Sequence, residues 1–249
     1  MAETAIFYLF PSLIAGILIG GVGIGGVILV PALYYFGGVA IYQAVAAAMF
    51  AFIVSGTFGT FMYARNKLIA WSSSVYLIIG ALPGALLGSL VLVYINPSFL
   101  KIFIATLIIF SAVRELIAQN DKGLETKSVQ LSKTISLSIG LVTGLLSALS
   151  GTGGPLILIP ILMWLGTNAA LAVGLSQVIQ IPISLVASLG NYSNDLIVWD
   201  ITIWTASGVA FGSIVGSYIA PKLPIYILKK IIAILLLFAG FLMFISIIG

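Results

Sequence analysis

The 249-residue sequence contains no cysteine and no histidine. Without thiols it forms no disulfide and does no thiolate chemistry, and without imidazole the usual zinc, copper and haem ligand sets are missing as well. No histidine is available to activate a serine, so there is no nucleophile–base pair and the chain is not read as an enzyme. Charge is scarce too, at 6% of residues against 61% hydrophobic ones, with a mean hydropathy of +1.28. The acidic residues Glu3, Glu115, Asp121, Glu125, Asp195 and Asp200 fall at ends or in expected loops, which leaves no deep carboxylate for a conventional proton relay. No metal and no other cofactor is expected. The net charge of +4 is spread over short loops and is read as an orientation signal, not a nucleic-acid patch.

What remains is long apolar sequence. Charge-free runs extend from Thr4 to Arg65 and from Thr134 to Asp195, with shorter ones at Leu68–Leu100, Ile201–Pro221 and Ile231–Gly249. Since a bilayer core of about 30 Å takes roughly 20 apolar residues per helical crossing, each long run holds about three. The expected fold class is all-α, a polytopic transmembrane helical bundle. The chain opens Met-Ala-Glu-Thr with no basic region, so a cleaved secretory signal is not expected and the first apolar segment should remain.

Displaced by 128 positions, the sequence matches itself: Gly16, Gly23, Gly25 and Gly26 fall on Gly144, Gly151, Gly153 and Gly154. Asn66–Trp71 falls on Asn194–Trp199, Gly80, Gly84 and Gly88 on Gly208, Gly212 and Gly216, and Phe110 on Phe238. The chain therefore reads as two transmembrane repeats, 1–118 and 134–249, joined by a polar cytoplasmic linker at 119–133. Arg65 and Lys67 in the first copy correspond to Ser193 and Asp195 in the second. Positive charge marks the cytoplasmic side, so the reading that best satisfies the rule places these two loops on opposite sides and makes the repeats inverted; Lys101, near an outer loop, is the exception.

Inversion needs an odd crossing or a re-entrant segment in each half. A straight helix over 5–36 would be about 48 Å long, so a break is expected near Gly20–Gly26, and another within 134–166. The remaining spans are expected near 41–63, 71–95, 98–118, 170–192, 199–220 and 224–248. The first break, GGVGIGG, formally matches GxGxxG at Gly21, Gly23 and Gly26, yet a dinucleotide turn lies between a strand and a helix with an acid about 20 residues on. Here the next charge is Arg65, and the duplicate LSGTGG lacks the first glycine. Glycine at such a break frees the backbone at membrane depth, and a restarting helix aims N–H groups and the positive end of its dipole at whatever lies there. Gly25, Gly26, Gly153 and Gly154 are accordingly expected to face an anion near the midplane.

Polar residues are unevenly divided. Ser147, Ser150 and Thr152 surround the second glycine break, and Ser176, Gln177, Gln180 and Ser184 follow at near-helical spacing. The counterparts of the latter four are Ala48, Met49, Phe52 and Gly56. Ser150, Thr152, Ser176, Gln177 and Gln180 are the candidate substrate contacts, with interhelical hydrogen bonding as the competing use for such side chains. The two glycine stripes at i, i+4, i+8 are read as helix-packing surfaces, Trp71 and Trp199 as interface anchors, and Asn191, Asn194 and Asp195 as a solvated loop.

The pairs Gly23-Ile-Gly-Gly26…Pro31 with Ala44-Val-Ala46, and Gly151-Thr-Gly-Gly154…Pro160 with Ala172-Val-Gly-Leu-Ser176, resemble the sulfite exporter TauE/SafE family of membrane permeases. The likeness covers nearly the whole chain outside the linker. It implies movement of a small sulfur-containing anion, such as sulfite or an organosulfonate, across the cell membrane, with export the implied direction. The sequence departs from the family's commoner Thr-Ser at Ala47-Ala48, where a first-half hydroxyl contact would otherwise be implied. Two functions stay open at this point: an anion transporter, or a non-transporting membrane scaffold or assembly factor whose glycines serve packing alone.

Overall fold

A peptide group in lipid can hydrogen-bond only within the protein, so apolar segments of this length fold as helices. The computed structural model describes residues 2–22, 26–117, 132–167 and 169–219, with scattered positions between 234 and 244. Its helices are α1 (Ala2–Val22), α2 (Gly26–Tyr35), α3 (Ile41–Arg65), α4 (Trp71–Val91), α5 (Pro97–Ile117), α6 (Lys133–Ser150), α7 (Pro155–Trp164), α8 (Ala169–Ser193) and α9 (Trp199–Ile219). A 3-10 turn, Leu92–Tyr94, extends α4. Among the described residues, four helical segments are long and apolar enough to cross a membrane: Ile41–Arg65, Trp71–Tyr94, Lys133–Ser150 and Ala170–Ser193.

These elements meet the expected spans closely. The linker at 119–133 lies almost wholly outside the described residues, and the last span is helical at the positions described. The long helix over 5–36 is indeed broken, between Val22 and Gly26, and α2 then turns back along α1: Gly37 lies against Tyr8, and Phe7 and Phe36 line one groove. The second break separates α6 from α7. Gly154 lies beside Ile179 and Ile183 at the middle of α8, and α7 ends just before α8 begins, so α7 runs antiparallel to α8. At ten residues each, α2 and α7 are about 15 Å long and reach half-way through a hydrocarbon core.

Packing joins the two halves of the sequence at every major contact. Helices α3 and α8 lie together at the centre; α1 pairs with α9, and α4 with α6, while α9 also packs on α3 and α4 on α8. The glycine stripes make the outer pairs. Gly80, Gly84 and Gly88 face the backbone of Leu137, Leu141 and Leu145, and Gly140 and Gly144 return the contact on Leu77 and Ala81. In the other pair Gly208, Gly212 and Gly216 face Leu9, Leu13 and Ile17, with Gly16 and Gly20 set against Val209 and Ser213. With no hydrophobic drive between helices in lipid, such close backbone approach supplies the dispersion contact that holds them together. The rising residue numbers show that both pairs run parallel.

Helices α3 and α8 run antiparallel, since Gly56 meets Gln180 and Ile181, Gly59 meets Gln177, and Tyr63 and Leu68 meet Gly174. They end in the same turn. Lys67 and Asp195 both stand in the left-handed region, at φ 57° and 54°. In each, the turn residue's N–H reaches three residues back, to Ala64 or Tyr192, and the next N–H reaches the carbonyl of Tyr63 or Asn191. Because α3 and α8 are antiparallel, the two turns lie at opposite ends of the bundle. Lys133, over the Tyr76 ring, shares the Arg65 and Lys67 end, whereas Lys101 sits at the other end, 4.6 Å from the Tyr34 ring centroid. That cation–π contact gives Lys101 a partner where the orientation rule leaves it the exception.

Candidate functional site

The second glycine break is built by backbone conformation. Gly151 closes α6 at φ 67°, its N–H bonded to Ser147 O at 2.9 Å, and Gly153 and Gly154 follow at φ 74° and 123°, where a β-carbon is strained. Pro155 then starts α7 with no N–H to leave idle, and Ile157 and Leu158 both donate to Gly154 O. The restarted helix thus offers fewer open amides than expected from sequence. Its first glycine neighbours are also apolar, because Gly154 faces Ile179 and Ile183.

The two breaks meet on one ring. A β-carbon on Gly26 would lie 2.8 Å from Phe52 Cζ and 3.2 Å from the Thr152 carbonyl oxygen, and one on Gly153 would lie 2.7 Å from Phe52 Cδ2. Phe52 is fully buried between them. Gly25 lies outside the described residues. Ser150 donates to Leu146 O at 2.7 Å and pairs with the Thr152 hydroxyl at 2.9 Å, and Ser176 donates to Ala172 O at 2.7 Å. These hydroxyls have spent their protons locally, on their own helix or on each other.

The glutamines differ. Gln180, at the counterpart of Phe52, donates to Ser55 Oγ at 3.0 Å and leaves its Oε1 without a partner. Gln177, one helical turn away, has neither amide atom paired although the residue is 2% exposed. Gly59 supplies the room it occupies: a β-carbon there would overlap the Gln177 Oε1. Both glutamines and Ser55 lie near the middle of 25-residue helices.

Gln177 and Ser55 line a cavity of about 350 Å³ that continues past Gly59 and Tyr63 to Arg65, with Ser213 in its α9 wall. From Gly59 to Arg65 is about 9 Å along α3. Among the described residues, Arg65 is the one charged side chain in the cavity wall. Of the residues expected at a site, Gln177 lines this cavity and Gln180 borders it through Ser55; Gly26, Thr152 and Gly153 pack round Phe52, and Ser150, Gly154 and Ser176 are not among its lining residues. Sequence reasoning missed Ser55, Gly59 and Tyr63, whose i, i+4, i+8 spacing marks one face of α3, and it read Arg65 only as an orientation charge.

The profile of the family described as sulfite exporter TauE/SafE matches residues 8–243. The chain belongs to the sulfite exporter TauE/SafE family. It is similar to the probable membrane transporter protein YunE of Bacillus subtilis, at 23% identity over 92% of this chain and 93% of the relative. It is also similar to the probable membrane transporter protein MJ0441 of Methanocaldococcus jannaschii, at 30% identity over 72% of this chain and 68% of the relative. No solved structure matches it. As a TauE/SafE member the chain is a multi-pass membrane protein of a transporter family, and the lipid bilayer is its surroundings.

Proposed function

We propose that the protein moves a small sulfur oxyanion or organosulfonate, such as sulfite, out across the cell membrane, along a path that begins at Arg65 and reaches Gln177 and Gln180 at mid-depth. The observation that carries this reading is the unpaired Gln177 amide in the wall of a cavity with an arginine at its mouth. A buried amide without partners is costly, and an oxyanion accepts the two hydrogens that Gln177 Nε2 holds free. Arg65 attracts an anion at the mouth; neutral donors at depth hold it weakly enough to release it.

The two halves are proposed to be inverted repeats. The antiparallel α3 and α8, and the shared turns at Lys67 and Asp195 at opposite ends, support that reading. Arg65, Lys67 and Lys133 at one end favour that end as cytoplasmic, which makes the cavity an inward-facing one, loaded from the cell interior as export requires. The glycine turns Gly26 and Thr152–Gly154 set the position of Phe52 and Gln180 beneath the anion.

The glycine stripes alone would suit a non-transporting scaffold equally well. A buried, unpaired amide for which Gly59 leaves room beside a cavity is a feature a scaffold has no use for. The deciding experiment is purified protein in liposomes challenged with sulfite, sulfate, thiosulfate and taurine, with and without a proton gradient. Sulfite flux above protein-free liposomes is expected; absence of flux for every member of the panel would overturn the transport reading.

A further inference from the structure

The Arg65 cavity maps through the repeat onto a second set of residues toward the Asp195 end. Its α3 wall residues Ser55, Gly59 and Tyr63 have counterparts on α8 in Ile183, Ala187 and Asn191, and its α1 wall residue Ile19 has one on α6 in Ser147. All four counterparts are fully buried. Ala187 and Asn191 are thus closed where Gly59 and Tyr63 are partly exposed, and Ser188 borders a separate shallow pocket with Phe50, Tyr192 and Trp199; the closed part is nonetheless not dry in character. Ser147 Oγ, Ser184 Oγ, Ser188 Oγ and both amide atoms of Asn191 are buried with no hydrogen-bond partner. Along α8 the sequence Gln177, Gln180, Ser184, Ser188, Asn191 steps by three, four, four and three residues, which is one face of a helix. It begins at the open cavity and ends beside the Asp195 turn.

Closure at that end has an identifiable latch. Gly190 lets α4 approach until its β-carbon position would overlap the Ser89 hydroxyl, and Asn194 Nδ2 donates to Ser89 O at 3.0 Å. On the open side the position corresponding to Gly190 is Met62, a bulky residue that lines the cavity. Orphaned polar groups on a continuous face, covered where α4 packs on α8, are costly in a permanently closed core and are satisfied once water enters.

The geometry points to a second half-path along this face of α8, from Gln180 through Ser184 and Ser188 to Asn191, which opens to the Asp195 end when α4 leaves α8 and the Arg65 cavity closes. It rests on the transport reading above and adds the residues an anion meets on the other side. Asn191 is the terminal polar station, where its counterpart Tyr63 serves the open cavity.

The test uses the full chain in liposomes. As the sequence has no cysteine, each variant carries one thiol. Asn191→Cys and the near-isosteric Ser188→Cys are treated with a membrane-impermeant methanethiosulfonate from either face, with Tyr63→Cys as the marker of the Arg65 face. Modification of Asn191→Cys from the face bearing Ser193 is expected, with Ser188→Cys, which already borders a pocket, modified at least as fast. Adding Asn194→Ala should raise that rate about fivefold, the ratio that corresponds to one hydrogen bond of ordinary net strength. If Asn191→Cys stays inert, or reacts only from the Arg65 face, while Tyr63→Cys is modified, the half-path is overturned even if sulfite flux persists. Modification with no flux of any anion in the panel would keep the path and remove the proposed substrate class.

Discussion

Gln180 on α8 donates its amide hydrogen to the hydroxyl of Ser55 on α3 at 3.0 Å, tying the two central helices together at mid-length. The neighbouring Gln177 makes no such bond. Two identical side chains, one turn apart, thus differ in that one is paired and the other is not, and this difference is the basis for the first two predictions.

Gln177→Ala should leave the fold intact and lower sulfite flux. Hydrogen bonds to charged groups contribute about 1.5–3 kcal/mol, so a tenfold to hundredfold loss at subsaturating sulfite is expected. Initial rates in liposomes, alongside gel-filtration behaviour of the variant, measure it; unchanged flux removes Gln177 from the site.

Gly59→Ala reaches the same amide from across the helix interface. The added methyl would take the space of Gln177 Oε1 and displace the side chain. Flux should fall as in Gln177→Ala, and the double variant should be no worse than Gln177→Ala alone, since both changes act through one group. Additive losses would place Gly59 in packing instead.

Arg65→Gln should slow sulfite entry chiefly at low ionic strength. Exposed charges act over a Debye length of about 10 Å at 0.1 M salt and about 3 Å at 1 M, so the deficit should shrink as salt is raised. A deficit that is the same at both salt concentrations would mean a direct contact and not attraction at the mouth.

Lys67→Gly and Asp195→Gly should each stabilise the protein. Both residues hold left-handed backbone, which costs an ordinary residue about 1–2 kcal/mol and glycine little. Thermal unfolding in detergent should shift upward for each variant. Gly84→Val and Gly212→Val should shift it downward by comparable amounts, because each side chain would enter the backbone of the partner helix.

The fold was readable because membrane helices obey few rules. Span length follows from lipid thickness, the breaks from glycine in runs too long to stay straight, and the pairing stripes from Gly80–Gly88 and Gly208–Gly216. Gln177 stood out for the same reason, as an amide in an apolar run. Ser55 and Gly59 did not, since serine and glycine on a membrane helix are ordinary packing residues until the neighbour opposite them is known. Phe52 was hidden more deeply: its place between Gly26 and Gly153 depends on two hairpins meeting from opposite halves of the chain. The sparse amides at the start of α7 follow from Pro155, which stands in the sequence directly after the glycines and was passed over beside them.

The turns at Lys67 and Asp195 share one backbone shape and carry opposite charge. Insertion machinery responds to the side chains of such a loop, whereas the helices on either side need only its shape. Exchanging the two charges would therefore weaken the bias that Lys67 shares with Arg65 and Lys133 while asking nothing new of the architecture. The bias that tells one face of such a bundle from the other can thus rest on a few atoms at its margins, in turns whose backbone fits either choice.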